Sequence, residues 1–176
     1  MQYCSRCVYP SNHPLGISFD SDGVCTGCRI HEEKNTIDWH SRKATLARML
    51  EEYRQKDSSN YDCIIPISGA RDSFFIVDQV RNVFGMNPLL VNYNRQYNTP
   101  AGLYNLSLLR TVFGCDLITE TLSPKLSKQI SIMTLKKIGS FHWPYIAGST
   151  VFPVQVAVRM NIPLIIWGAH QGIDQV

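Results

Sequence analysis

From Tyr61 onward, short apolar runs alternate with longer amphipathic segments, and this alternation limits the possible folds more than any other feature of the sequence. The apolar runs predict strands at 61–67, 88–93, 116–121 and 164–167. The intervening segments predict helices at 74–84, 99–113, 124–138 and 152–159. Such a series predicts an α/β fold, in which a parallel sheet is flanked by helices and ligands bind at the carboxyl ends of the strands.

The residues before this alternation divide into two parts. Residues 1–35 hold four of the six cysteines and show no helical or strand periodicity, which predicts a small unit held together by metal. Between 37 and 55 the spacing predicts an amphipathic helix. Its apolar face would consist of Leu46, Met49, Leu50 and Tyr53. We therefore expect a zinc-ribbon module at 1–35, a connecting helix and linker at 36–60, and an α/β domain at 61–176.

Composition and charge exclude several classes of partner. The chain has 176 residues, of which 44% are hydrophobic, enough for one substantial core and a small appended module. A net charge of +3 gives no reason to expect a nucleic acid or an anionic membrane surface as partner. The amino terminus lacks the apolar run of a signal peptide, and the longest apolar stretch, 162–167, is too short to cross a bilayer. These features predict a cytoplasmic protein. Because the chain stops soon after a central-looking strand, we also expect the domain to be truncated at its carboxyl end.

Two C-x-x-C pairs provide the clearest metal signal. Cys4 and Cys7 are separated from Cys25 and Cys28 by 17 residues, a spacing at which two knuckles can give four thiolates to one tetrahedral Zn²⁺. Four thiolates leave no open coordination position, so the predicted zinc is structural rather than catalytic. Free thiols and an iron–sulfur cluster remain alternatives. The other two cysteines, Cys63 and Cys115, are expected to be small buried side chains.

A strand-to-helix loop carries the strongest sign of ligand binding. An apolar strand runs into Ser68-Gly69-Ala70-Arg71-Asp72-Ser73 and then into a predicted helix. This arrangement directs backbone N–H groups and the positive helix end at an anion such as a phosphate chain. The serine hydroxyls can donate hydrogen bonds, Arg71 stays charged, and Asp72 can cap the helix or bind magnesium. An ordinary strand-to-helix turn is the alternative.

The loop lacks the lysine of a Walker A motif and instead resembles the S-G-G-x-D-S signature of the PP-loop ATP pyrophosphatases. These enzymes have an adenine nucleotide alpha hydrolase-like fold and split ATP between its α and β phosphates. The resemblance implies ATP and Mg²⁺ as cofactors. Ala70 departs from the signature, because it replaces the second glycine. If that position requires a positive φ, alanine would cost about 1 kcal/mol there, so either the loop tolerates this cost or nucleotide binding is weakened.

Further segments extend the resemblance over essentially the whole chain. Beside both cysteine knuckles and the loop, they are Ile37-Asp38-Trp39, Asn87 to Val91, Phe152 to Ala157 and Ile162 to Gly168. In this order they resemble the N-acetyl sugar amidotransferases of lipopolysaccharide, O-antigen and related surface-glycan synthesis. The resemblance implies that ATP adenylates the acetamido group of an N-acetylated sugar nucleotide. Ammonia from a separate glutaminase subunit then displaces AMP to form an acetamidino group.

Other candidate site residues lie near the predicted strand ends. Asn92 and Tyr93 end the second strand, where related folds bind adenine. His170 follows the last strand and is a candidate catalytic residue together with Arg71, Asp72 and Ser73. The aromatic and polar segment 141–150, between two predicted helices, would be either a sugar site or a packed loop. The lysines of the helix at 124–138 would form a solvated face or, second, a docking patch, and they are Lys125, Lys128, Lys136 and Lys137.

Two other functions remain open. A tRNA-modifying PP-loop ATPase of the thiolase type would have a similar loop, but it would normally need redox-ready sulfur near the loop and a strongly basic face. The sequence shows neither. A non-catalytic, zinc-stapled nucleotide-binding scaffold or fragment is compatible with Ala70 and with the early end of the chain.

Overall fold

The structure, a computed structural model, describes residues 1–12, 16–55 and 60–168. Met1–Leu46 belong to one compact unit, and Ala47–Gly168 form the other. The predicted site residue His170, most of the predicted linker and the end of the predicted α/β domain lie outside the described residues. The predicted domain boundaries near residues 35 and 60 stay predictions.

The first unit is built around the two cysteine knuckles. Isolated antiparallel bridges join Tyr3 to Pro10 and Phe19 to Cys25. Helix α1 (Thr26–Glu33) follows directly, where the sequence predicted no regular element. That prediction was wrong because the helix has no buried residue and therefore leaves no apolar stripe in the sequence. Its start is fixed instead by Cys25, whose Sγ accepts a hydrogen bond from the Cys28 N–H at 3.4 Å.

Helix α2 (Trp39–Glu52) confirms the helix predicted at 37–55, but not its apolar face. Leu50 is buried, whereas Leu46, Met49 and Tyr53 are exposed. Only Leu50 belongs to the hydrophobic core. The helix therefore contacts that core at one position near its carboxyl end rather than along a stripe.

The second unit contains the predicted parallel sheet. Strands β1 (Cys63–Pro66), β2 (Pro88–Tyr93) and β3 (Leu117–Glu120) lie in the order β1-β2-β3. Ile65 pairs with Leu90, and Leu90 pairs with Leu117. The strand predicted at 164–167 is reduced to a single parallel bridge between Ile165 and Ile64.

Helices α3 (Arg71–Asp78), α4 (Pro100–Phe113) and α5 (Pro124–Ile138) agree closely with the predicted segments, and a π-helix at Gln79–Val83 continues α3. The termini of α4 and α5 have local causes. The hydroxyls of Thr99 and Ser123 accept backbone hydrogen bonds at their N-caps, and each helix begins with proline. Gly114 and Gly139 end them in the left-handed conformation.

Helix α6 (Trp143–Met160) is much longer than the predicted 152–159. Most of the segment 141–150 is therefore helical, so its interpretation as a loop between helices was wrong. A helix that begins at 152 would have Pro153 in its first turn, where proline is favoured. Pro144 occupies that place instead, and Pro153 lies buried within the helix.

Two hydrophobic clusters fill the two faces of the sheet. Neighbouring residues of a strand point to opposite faces, so Ile65 and Leu90 join one cluster while Ile64 and Leu89 join the other. The first cluster contains residues of α3 and α4, and the second contains Phe152, Val156 and Ala157 of α6. Helices thus cover both faces, as a parallel sheet requires. None of the described helices is long and apolar enough to cross a membrane.

The two cysteines outside the knuckles are buried in the first cluster, which confirms their predicted structural role. Cys63 is fully buried, and Cys115 is 7% exposed. Burial raises the pKa of the Cys63 thiol to about 12 and also raises the pKa of Cys115. Both side chains therefore remain protonated and unreactive near neutral pH.

Candidate functional site

The loop after β1 turns sharply at Gly69, which has φ +78°. A Cβ added at this glycine would lie 3.3 Å from the backbone oxygen of Gly102 and 3.3 Å from the backbone nitrogen of Leu106 in α4. Both the left-handed conformation and this close approach favour glycine. The first glycine of the sequence signature is therefore required by the backbone itself.

Ala70, at the second glycine position, adopts φ −79° and ψ 169° and is the N-cap of α3. These angles lie in the extended region that any residue adopts. The cost predicted for a positive φ therefore does not arise. Because a methyl group cannot accept a hydrogen bond, no side chain caps the N–H groups of the first turn. This helix end remains suited to an anion.

Ser73 stabilises the loop through hydrogen bonds to Ser68 and Ala70. Its side chain is buried, and its Oγ accepts a hydrogen bond from the Ser68 N–H at 3.1 Å. Its own N–H donates to the Ala70 oxygen at 3.0 Å. Ser73 thus fixes the shape of the turn and keeps a hydroxyl hydrogen to donate.

Arg71 and Asp72 occupy the first turn of α3 and extend into solvent. Their side chains are 97% and 75% exposed, with 3.7 Å between the guanidinium Nε and the carboxylate Oδ1. A pair this exposed contributes little to stability. Both side chains are free to turn toward a ligand, Arg71 toward phosphate oxygens and Asp72 toward a magnesium ion.

A recess that is open to solvent lies beside the loop. It is lined by the ends of β1 and β2 and by residues of α4 and α6. This is the carboxyl edge of the parallel sheet, where open α/β folds bind their ligands. Ser68, from the predicted phosphate loop, is part of its wall.

The structure brings Asn92 and Tyr93 into the wall of this recess. Asn92 is buried, and its Nδ2 donates to the Ile67 oxygen at 2.8 Å, which ties the ends of β1 and β2 together. The ring of Tyr93 packs against Phe152 and against α6 at Gly148, where an added Cβ would overlap it. Burial is the main cause that raises the pKa of Tyr93.

The sequence analysis missed Arg95 and Asn98, which also line the recess. Both follow β2, so their position after a parallel strand was the available signal. Ser149, within the segment considered as a sugar site, reaches the recess from α6. Its Oγ donates to the Ile146 oxygen at 3.0 Å. The remaining lysines of interest, on α5, are exposed, in agreement with a solvated face.

The four cysteines of the first unit come together as predicted. Their sulfur atoms all lie within 4.8 Å of one another. The Sγ atoms of Cys7 and Cys25 are 3.6 Å apart, and those of Cys4 and Cys28 are 3.9 Å apart. With Zn–S bonds of about 2.3 Å, a regular tetrahedron has S–S edges of about 3.8 Å. The cluster therefore fits one zinc ion in a closed structural site.

Backbone N–H groups favour the ionised form of one cysteine in this cluster. Those of Cys7, Cys25 and Arg6 lower the pKa of the Cys4 thiol to about 6. The neighbouring Cys7 thiol is the main cause that raises the pKa of Cys28 to about 12. A bound zinc ion would displace the protons that the thiols of this cluster carry.

Comparison with known sequences gives one distant relative. No protein-family model matches the chain. An uncharacterized protein of Methanocaldococcus jannaschii is 24% identical over 115 residues, which cover 65% of this chain and 41% of the relative. The chain thus spans about two fifths of that protein's length.

Comparison of structures identifies the class of fold. The NH3-dependent NAD synthetase from Campylobacter jejuni, solved in complex with the nitrate ion, matches with a TM-score of 0.55 and 14% sequence identity. The match covers 77% of this chain and 58% of the synthetase chain. The chain therefore shares the fold of this synthetase, a parallel sheet flanked by helices, which confirms the predicted fold class. Membership of the N-acetyl sugar amidotransferase family stays a prediction.

Proposed function

We propose that this chain is the ATP-binding part of an amidotransferase that transfers AMP to an acetamido oxygen, releases pyrophosphate, and then lets ammonia displace AMP. The observation that carries the proposal is the geometry of the loop after β1. Gly69 turns the chain, Ser73 holds Ser68 from inside, and the uncapped start of α3 lies at the carboxyl edge of the sheet. A PP-loop fold gives this loop its place beside a ligand recess.

In this proposal the loop acts by position and charge rather than by a covalent step. The first-turn N–H groups and Arg71 would stabilise the negative charge that develops on the leaving pyrophosphate. Asp72 would hold a Mg²⁺ ion, which would supply positive charge to offset the charge of the phosphates. His170, beyond the described residues, remains a proposed catalytic residue without a structural account.

The proposed acceptor is an N-acetylated sugar nucleotide of surface-glycan synthesis, and the proposed compartment is the cytoplasm. The segments quoted above support this choice of acceptor. The proposed ammonia donor is a separate glutaminase subunit. Support comes from the buried state of Cys63 and Cys115, because a glutaminase nucleophile must be accessible and readily ionised. The zinc cluster would engage the other four cysteines.

Product analysis tests the proposed reaction. With ATP, Mg²⁺, ammonia and UDP-N-acetylglucosamine as a representative acceptor, or with related N-acetylated nucleotides, AMP and pyrophosphate should form in step with an amidine. Asp72→Ala should lower the rate about 100-fold or more, since one transition-state contact is lost. Asp78→Ala, at the far end of the same helix, is the matched control and should change the rate little. Formation of ADP and phosphate would refute the proposed chemistry.

Two observations argue against the alternative functions, a tRNA thiolase and a non-catalytic scaffold. A tRNA thiolase would need an accessible sulfur near the loop, yet Cys63, on the strand that leads into the loop, is fully buried. The case for a non-catalytic scaffold rested partly on Ala70, whose φ of −79° removes that argument. The same assay discriminates among the three, because the thiolase would need tRNA and the scaffold would hydrolyse nothing.

A further inference from the structure

The turn that follows β2 has an uncommon conformation held by its own amides. Gln96 adopts φ +65°, a left-handed value that is rare outside glycine. The Oδ1 of Asn94 accepts hydrogen bonds from the Gln96 N–H at 2.9 Å and from the Asn98 Nδ2 at 2.7 Å. One asparagine side chain thus closes the five-residue turn at 94–98.

The same turn is anchored to the end of the neighbouring strand. The Asn94 N–H donates to the Glu120 oxygen at 2.9 Å, and its Nδ2 donates to the Thr121 hydroxyl at 3.2 Å. The side chain of Gln96 donates to the Leu122 oxygen. The strained residue is therefore held from both sides, as is typical of segments that position a functional side chain.

Arg95 is the side chain that this turn presents to the recess. In the described lining of the recess, it is the only charged residue. The part of the chain that the structure describes offers its guanidinium no ion pair or hydrogen bond. Ser68, at the start of the phosphate loop, and Asn98 line the same recess. The result is an unpaired cation beside polar groups in a concave site without a carboxylate in its described wall.

We propose that Arg95 is a specificity-determining residue that binds a phosphate or diphosphate group of a ligand held in the recess. The inference rests on the proposed nucleotide-dependent function. A guanidinium presents paired N–H donors that match phosphate oxygens, and it stays charged at every working pH. Two ligands can supply this chemistry, ATP through its own phosphates and the second substrate through its diphosphate.

Calorimetric titration of the whole chain separates these sources. The probes are ATP with Mg²⁺, adenosine, UDP-N-acetylglucosamine and free N-acetylglucosamine. Arg95→Ala should weaken binding of at least one phosphorylated probe on the order of 10-fold to 100-fold, the usual effect of losing a charge-assisted hydrogen bond. Binding of the matched probe without phosphate should stay within about 2-fold of wild type. Arg95→Lys should retain part of the affinity, because lysine keeps the positive charge but lacks the paired N–H donors of the guanidinium.

Arg110→Ala is the matched control, because Arg110 is an exposed residue of α4 outside the recess lining. It should bind every probe as the wild type does. Unchanged affinity of Arg95→Ala for both phosphorylated probes would overturn the inference, as would an equal loss for phosphorylated and phosphate-free probes. Failure of the wild-type chain to bind ATP would instead count against the proposed function, and the UDP-N-acetylglucosamine arm would still decide the role of Arg95.

Discussion

The two units of the chain differ in what holds them together. In the described part of the first unit, the buried hydrophobic residues are Cys4, Val24 and Cys25. The second unit buries two apolar clusters, one on each face of its sheet. Two of the three buried residues of the first unit are also metal-ligand candidates. With zinc bound, the four-cysteine cluster would take the place of a core in the first unit. Apolar burial stabilises the other unit.

This difference has a thermodynamic meaning. Segments of about 40 residues usually bury too little surface to fold by apolar contacts alone. In such modules the free energy of metal binding is the free energy of folding. The described part of the α/β unit contains a sheet and the four α-helices α3 to α6, and we expect it to fold without metal. The following predictions test this contrast.

Metal removal should have the largest effect. Chelation of the zinc, or the double substitution Cys4→Ser and Cys25→Ser, should unfold the first unit, because it removes a binding free energy on the order of 10 kcal/mol. Hydrogen exchange should show loss of protection at Cys4 and α1 while β1 and β2 remain protected. The substitution Cys115→Ser serves as control, since it changes a cysteine outside the cluster and should leave zinc content unchanged.

Equal loss of protection in both units would break the proposed contrast. Full protection of α1 in zinc-free protein would also contradict it, because the first unit would then fold without metal.

Truncation of a core side chain should destabilise the α/β unit and leave the first unit unchanged. Leu90→Ala removes a fully buried side chain from the central strand and should lower the free energy of unfolding of the α/β unit by about 2–5 kcal/mol. Zinc content should not change. Val158→Ala, at a position that is 77% exposed, should cost less than about 0.5 kcal/mol. Denaturant titration and metal analysis of each variant measure the two effects, and parallel loss of zinc in Leu90→Ala would contradict the separation.

A smaller pair of effects should distinguish the two small residues of the loop. Gly69→Ala places a Cβ against α4 at a positive φ and should cost about 1–2 kcal/mol, with weaker ATP binding. Ala70→Gly changes an extended N-cap residue and should alter stability by only a few tenths of a kcal/mol, roughly 0.5 at most. Thermal unfolding and ATP titration would test both. Similar costs at the two positions would show that the loop geometry described here is wrong.

The last effect concerns the pH dependence of stability that one buried thiol causes. The Cys63 thiol has a pKa of about 12 in the folded chain against its ordinary value of 9.0, so only the unfolded chain ionises between these values. Stability from this group is complete below pH 9 and falls as pH rises toward 12, by at most about 1.4 kcal/mol per pH unit. Comparison of wild type with Cys63→Ala by denaturant titration at pH 8 and pH 10 isolates this slope. Identical slopes in the two proteins would refute it.

The sequence was most informative where local chemistry decides the structure. The helix at 124–138 was predicted with its observed bounds because Ser123, Pro124 and Gly139 each act within one turn of the chain. The start of α6 was predicted wrongly, because Pro144 and Pro153 both fit the first turn of a helix. Only packing against the sheet decides that the helix runs through the second proline.

In the candidate site, too, features set by neighbouring residues were predictable, whereas features set by contacts between distant segments were not. The shape of the loop at 68–73 was predictable from the sequence, because it follows from neighbouring residues such as Gly69 and Ser73. Phosphate binding by this loop stays a prediction. The position of Arg95 was not predictable, since its place in the recess depends on a turn that is tied to the next strand. Asn92 was expected near the nucleotide, whereas its amide also ties together the ends of two strands, a role that follows only from strand pairing.

The contact between Gly148 and Tyr93 has a consequence for sequence variation. Because no side chain at position 148 can coexist with the present ring, the two positions should vary together among homologues that keep this helix against this strand. A residue larger than glycine at 148 should accompany a smaller one at 93. Such a paired exchange would reshape one wall of the recess while the sheet and the phosphate loop stay unchanged. Evolution of a new ligand size in this fold would then pass through a double substitution, since the first step at 148 alone is obstructed.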